Sequence, residues 1–165
     1  MSNFDFDLFV LGAGSGGVRL ARMSASMGAK VAVAEDRELG GTCVNVGCVP
    51  KKLFVYASHV PEELEDGAGF GWSHDGALKL DWPTLVANKN KEIERLNGIY
   101  GDLLNHSGAQ IISGRATLVD PNTVEVDGTQ YTADHITIAT GGRPSIPAIE
   151  GAEFGIDSDG FFALT

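Results

Sequence analysis

Apolar and β-branched residues first gather at residues 6–11, FDLFVL, a short run that stops at a glycine as a buried strand does before a turn. After the glycine-rich stretch 12–17, the segment VRLARMSASMG places apolar side chains at Val18, Ala21, Ala25 and Met27 and stops at Gly28, which predicts a helix. Residues 29–35, AKVAVAE, read as a second buried strand. Strand, helix and strand in so short a stretch make a βαβ unit, whose crossover brings the two strands together in parallel.

From Thr42 the segment TCVNVGCVPKKLFVYASHV reads as one helix with an irregular first turn, running out at Pro61. Residues 61–82 carry Glu62, Glu63, Glu65, Asp66 and Asp75 among several glycines, which predicts an exposed acidic loop. Asp81 and Pro83 then open a long helix with Leu85, Ile93, Leu96, Tyr100 and Leu103 at three- and four-residue spacing, closed by Gly108. Beyond it AQIISGRATLV, TVEVDGTQYTA and HITIAT are β-rich, and Asp127-Gly128 between alternating runs signals a hairpin. The expected fold is α/β: a Rossmann-like βαβ domain with a parallel sheet plus a β-meander, spanning residues 1–165. Residues 142–165 predict no terminal helix. They end on Phe161, Phe162 and Leu164 with nothing left to cover them, so the chain is expected to be interrupted.

Composition narrows the partners. With 12 Lys and Arg against 22 Asp and Glu, the net charge of −10 argues against nucleic acid or an anionic membrane surface, both of which require a basic footprint. A few local bases could still hold a small anion. Hydrophobic content of 43% with 21% charged residues fits a folded globular chain. No apolar run approaches a membrane span, and Asp5 and Asp7 stand where a secretory leader would carry positive charge, so a cytoplasmic location is expected. Glycine is in excess, 22 of 165, and clustered, which points to backbone turned tightly around ligands.

Gly12-x-Gly14-x-x-Gly17 fits the dinucleotide fingerprint in its required context of strand, helix and a downstream acid. The first glycine permits the turn, the second lets backbone approach a pyrophosphate, and the third lets helix and strand pack closely. The pyrophosphate then lies at a helix N-terminus, where free amides and the helix dipole favour its charge. Glu35, eighteen residues after Gly17, ends the second strand, where a carboxylate accepts from a ribose hydroxyl. The motif does not separate FAD from NAD. Arg37 reads either as a hint of a 2′-phosphate or as an exposed loop arginine.

Cys43 and Cys48 are the only cysteines. Two sulfurs without a nearby histidine cannot complete a four-ligand zinc site, so no metal is expected. In a regular helix five residues rise about 7.5 Å, beyond the roughly 7 Å Cα limit for a disulfide. A bond between them therefore requires an irregular turn around Asn45 and Gly47. Two unpaired buried thiols are the alternative. The flanking features, a dinucleotide motif, a helix start, and Lys51 and Lys52, favour redox exchange by lowering a thiolate's pKa.

The run Gly40-Gly41-Thr42-Cys43-Val44-Asn45-Val46-Gly47-Cys48-Val49-Pro50-Lys51-Lys52 closely resembles the redox-active segment of the flavin-dependent pyridine nucleotide-disulfide oxidoreductases. The resemblance spans nearly the whole chain, from FVLGAGSGG through ATGGRPSIP to GIDSDGFFAL, and is strongest to the members that reduce oxidised glutathione. It implies FAD as the dinucleotide, held by Gly12, Gly14, Ser15, Gly16, Gly17, Glu35, Gly41, Thr42, Cys43, Lys51, Ala116, Thr140 and Gly141. It implies a Cys43–Cys48 redox disulfide, with Cys43 as the interchange thiol, Cys48 facing the flavin and Lys51 near the flavin's reactive edge. NADPH would be the electron donor, at a site outside these residues. Ser15, Arg22 and Tyr100 match positions that contact glutathione, and Arg19 adds positive charge on the same helix face. Against these stand plainer readings, an exposed helix arginine for Arg22 and a core residue for Tyr100.

Lys51-Lys52 after Pro50 points away from lipoamide dehydrogenases and mercuric reductases, which usually carry Ser-Lys there, and leaves thioredoxin reductases as the alternative. Family chains are roughly three times longer, so the resemblance also implies a missing NADPH domain and a dimerisation domain that gives the partner subunit a His-Glu acid-base pair. His59, His74, His106 and His135 read as surface or structural residues. If the 165 residues were instead the whole product, the chain would be a flavin-binding module without turnover.

Overall fold

Parallel pairing of β1 (Phe6–Leu11) with β2 (Val31–Glu35) through α1 (Ser15–Ser26) forms the expected βαβ unit in a computed structural model that describes residues 3–165. Met1 and Ser2, counted with the domain in the sequence reading, lie outside the described residues. The sheet adds β3 (Gln110–Ser113), β4 (Ala116–Asp120), β5 (Thr123–Val126) and β6 (Thr129–Ile138), in the order β3-β2-β1-β6-β5-β4. β3, β2, β1 and the second half of β6 are parallel, whereas β4, β5 and the first half of β6 are antiparallel.

β6 is therefore shared by two pairing systems. Thr129 to Thr132 pair with Val126 to Thr123 of β5, and from Ala133 the strand runs beside β1, with Leu11 opposite Ile138. Asn122 seals the changeover: its carbonyl accepts from the Ala133 amide at 2.9 Å and its side-chain amide donates to the Ala133 carbonyl at 2.8 Å. At the other end of this junction the Asp5 carboxylate accepts from the Thr132 amide and hydroxyl, both at 2.8 Å, which holds its carboxyl below the usual carboxylate range.

Strand alternation sends side chains into two cores. Phe9, Leu11, Ala32 and Ala34 face one side, where Val124, Val126 and Tyr131 of the meander pack over them. Val10, Val31 and Val33 face the other, against Val18 and Ala21 of α1 and Leu104 of α4 (Trp82–Ser107). α4 follows its sequence signals closely: the Asp81 side chain accepts from the Thr84 amide at 3.2 Å, and Gly108 closes the helix with φ 87°. The Asp127-Gly128 turn forms as expected, with φ of 47° and 81°.

Four expectations are corrected. The helix from Thr42 is two helices, α2 (Gly41–Val46) and α3 (Cys48–Gly67), because the backbone breaks at Gly47 (φ −152°, ψ −114°). α3 does not end at Pro61 but carries it in its interior; residues 61–67 of the expected loop are helical, and their acidic side chains are satisfied by exposure alone. A 3₁₀ turn at Ala68–Phe70 follows, and only residues beyond it form an extended, exposed connection to Asp81.

The tail likewise gains a helix, α5 (Ser158–Phe162), capped by Asp157, whose carboxylate accepts from the Gly160 amide at 2.8 Å. Its Phe162 is 8% exposed, set among the rings of Phe54 and Phe161, and its carbonyl accepts from Lys89 Nζ at 2.9 Å. Lys89 is itself buried, which pushes its ammonium pKa below the ordinary value.

Candidate active site: a disulfide beside a dinucleotide cleft

The carboxyl ends of β1, β2 and β6 open into one cleft of about 760 Å³, at the point where the parallel sheet changes direction. Gly12 leaves β1 with φ 103°, and a Cβ there would sit 2.5 Å from the Ala139 carbonyl oxygen. The chain then turns into α1, whose first turn has no side-chain cap, so its amides face the cleft without competition. Gly17 lies against β1, where a Cβ would run into the Gly12 carbonyl oxygen. This is the close helix–strand packing that the third fingerprint glycine allows.

Glu35 is fixed by the backbone it borders. Its Oε2 accepts from the Ala13 amide at 2.7 Å and its Oε1 from the Arg37 amide at 3.0 Å. Ala13 is fully buried, so this carboxylate satisfies an amide that would otherwise lose its partner. A carboxylate has about four acceptor positions, so capacity remains for a ligand hydroxyl.

On the facing wall, Gly41 comes so near the glycine loop that a Cβ on it would lie 2.6 Å from the Gly14 Cα. Here α2 begins, and with it the cysteine segment. Cys43 and Cys48 form a disulfide, with Cα atoms 4.6 Å apart. The break at Gly47 supplies this approach: a Cβ at that position would come to 2.8 Å of the Thr42 carbonyl oxygen, so the turn between the cysteines closes only around a glycine. Cys43 is half-buried and Cys48 exposed, and both line the cleft.

Of the residues singled out from sequence, Gly12, Gly14, Ser15, Gly16, Glu35, Gly41, Thr42, Cys43, Cys48, Ala116, Thr140 and Gly141 line this one cleft. Gly17 shapes it from behind. Lys51 does not line it; it is exposed in the first turn of α3, its amide donating to the Gly47 carbonyl at 3.0 Å. Arg22 lies half-buried further along α1, and Tyr100 packs against the core between α1 and α4, both outside the cleft lining. Among the described residues no cluster of His, Cys, Asp or Glu could hold a metal ion.

Sequence reasoning missed Asp36, Arg115 and Arg143 in the lining. Arg115 Nη1 donates to Asp36 Oδ2 at 2.9 Å across the end of the cleft, a pair separated by 79 residues that no local pattern announces. Arg37, Arg115 and Arg143 offset Glu35, Asp36 and Glu38, so the cleft is locally balanced although the chain carries −10. An anionic ligand meets no net repulsion there.

The arrangement pairs a dinucleotide-shaped cleft with a redox-capable disulfide on its wall. Comparison with known proteins agrees. Residues 6–163 match the pyridine nucleotide-disulphide oxidoreductase family. The chain is 51% identical over 166 residues to the chloroplastic/mitochondrial glutathione reductase of Pisum sativum, covering 94% of this chain and 30% of that protein. It is 52% identical to glutathione reductases of a Nostoc species and of Burkholderia cepacia, over 98% and 99% of this chain and 35% and 36% of theirs. It thus spans about a third of the length of these relatives. With the match running through both the glycine turn and the cysteine segment, the chain belongs to the pyridine nucleotide-disulphide oxidoreductase family.

Proposed function

We propose that these residues are the FAD-binding and redox-disulfide portion of an NADPH-dependent reductase of oxidised glutathione. The observation that carries the reading is the Cys43–Cys48 disulfide on the wall of the cleft built by Gly12, Gly14 and Glu35. The three relatives reported above are named glutathione reductases, which favours glutathione over the thioredoxin reductase alternative.

The uncapped amides of α1 would hold the FAD pyrophosphate, and Glu35 a ribose hydroxyl. Thr42, Ala116, Thr140 and Gly141 would complete the walls, and Lys51, in the first turn of α3, is assigned to the flavin's reactive edge. Bound FAD supplies the two-electron relay between a hydride donor and the disulfide.

Once reduced, the Cys43 thiolate attacks one sulfur of oxidised glutathione, forming a mixed disulfide and releasing the first glutathione thiolate. Cys48 then attacks the Cys43 sulfur, restoring the Cys43–Cys48 bond and releasing the second. The two protons of the dithiol end on the two products. Ser15, Arg22 and Tyr100 are assigned to the substrate side, Arg22 for the carboxylates of glutathione. In the whole protein a homodimer partner would donate protons through a His-Glu pair. Among the described residues no helix is long and apolar enough to cross a membrane.

Cys43→Ser tests this in the protein expressed from its full native gene. The variant should keep a flavin spectrum and lose NADPH-dependent reduction of oxidised glutathione. Retained turnover would overturn the reading.

A further inference from the structure

The turn between the two cysteines is held by more than the disulfide. Asn45, two residues after Cys43, donates its side-chain amide to the carbonyls of Gly41 at 2.9 Å and Leu39 at 3.2 Å. Its Oδ1 accepts from the Nδ2 of Asn97, 52 residues away on α4, at 2.9 Å. Asn97 Nδ2 also donates to the Leu39 carbonyl at 2.7 Å. Asn97 thus fixes which way the Asn45 amide points, because an Oδ1 engaged by α4 leaves Nδ2 to face the turn. Both residues are half-buried, and neither was singled out for chemistry by pattern or spacing.

We infer that Asn97 is a positioning residue for the redox couple, holding Asn45 so that the Cys43/Cys48 dithiol stays poised to close. This rests on the redox-disulfide reading above. While the disulfide is intact, the covalent link suffices by itself to keep the Cα atoms 4.6 Å apart, and the hydrogen bonds of Asn45 and Asn97 add little to that restraint. Once it opens, that restraint is gone, and the two bonds from Asn97 and those from Asn45 are what limit the turn's freedom. Removing them frees the dithiol more than the disulfide, so it lowers the effective concentration of one sulfur at the other. The sign follows: loss of Asn97 favours the reduced form.

The full-length flavoprotein provides the test. Wild type, Asn97→Leu and Asn97→Asp are equilibrated in reduced and oxidised glutathione buffers of graded ratio, and the Cys43/Cys48 state is read by thiol alkylation and mass. Both variants lack the amide donor; Asp keeps the size and polarity of the side chain if Leu impairs folding. We expect the equilibrium constant for closing the disulfide to fall about tenfold, a reduction potential about 30 mV higher, with flavin content retained and kcat lowered more than KM. Asn45→Ala should produce a similar fall, and the double variant little more than either single one. A folded, flavin-bound Asn97 variant with the wild-type equilibrium would overturn the inference. So would additive effects of the two substitutions. Failure of the underlying reading looks different: the wild-type cysteines themselves would not cycle between dithiol and disulfide in these buffers.

Discussion

A Cβ added at Gly16 meets no atom within 4 Å, whereas one added at the adjacent Gly17 would run into the Gly12 carbonyl. The fingerprint glycines are therefore not equivalent. Gly17→Ala should separate α1 from β1 and destabilise the domain by about 2 kcal/mol or more. Gly16→Ala should stay within about 1 kcal/mol of wild type, since alanine is the better helix former in the first turn of α1. Urea unfolding midpoints decide the matter, and equal shifts would mean that α1 can back away from the strand. At this scale the sequence was a good guide wherever chemistry is local. The glycine spacing, Glu35 and the two cysteines all point to the cleft from short-range pattern alone. Arg115 with Asp36, and Asn97 with Asn45, were invisible because each pair is joined only by the folding of distant segments.

Helix α3 shows how an element can override a local signal. Proline lacks the amide that would bond to the carbonyl four residues back and crowds that carbonyl, which is why Pro61 reads as a stop. The helix nevertheless continues to Gly67, and Pro61 is exposed on it. Pro61→Ala should restore a bond to Ala57 and raise stability by about 1–2 kcal/mol, after allowing for the freer unfolded chain. Thermal denaturation measures it, and a lower melting temperature would show that the helix depends on the rigid ring. The β-rich stretch was legible as strands but not as sheets. AQIISGRATLV reads as one run, yet Gly114 divides it: β3 joins the parallel sheet beside β2 and β4 opens the meander. Gly114 takes φ 138°, and a side chain there would collide with Val126 and Asp127. Which neighbour a strand adopts depends on the tertiary order, and no periodicity encodes that.

Across the whole molecule, α4 ties the redox turn at Asn97 and the tail at Lys89 to the same scaffold. The apolar end of the chain looked uncovered in sequence because its cover, Phe54 on α3 and the stem of Lys89 on α4, comes from segments 70 to 110 residues upstream. Burial disfavours the Lys89 charge, so Lys89→Met, which keeps the stem and drops the ammonium, should match or exceed wild-type stability by about 1 kcal/mol. The unfolded chain holds this proton up to the ordinary value of 10.5, higher than the folded chain does. Wild-type stability should therefore rise relative to the variant as pH climbs toward that value, narrowing the gap. Denaturant titrations at pH 7 and near pH 10 check this, and a gap that widens would show that the bond to Phe162 dominates.

The shared strand β6 has a consequence for synthesis. β1 and β2 are complete once residue 35 has left the ribosome, but the second neighbour of β1 arrives only with residues 133–138. At about 5–20 residues per second, an apolar strand edge stays unpaired for roughly 5–20 s. Such an edge is a template for pairing with other chains. The nascent protein thus passes through an aggregation-prone interval fixed by its topology, which ends when the last strand of the sheet emerges and closes beside the first.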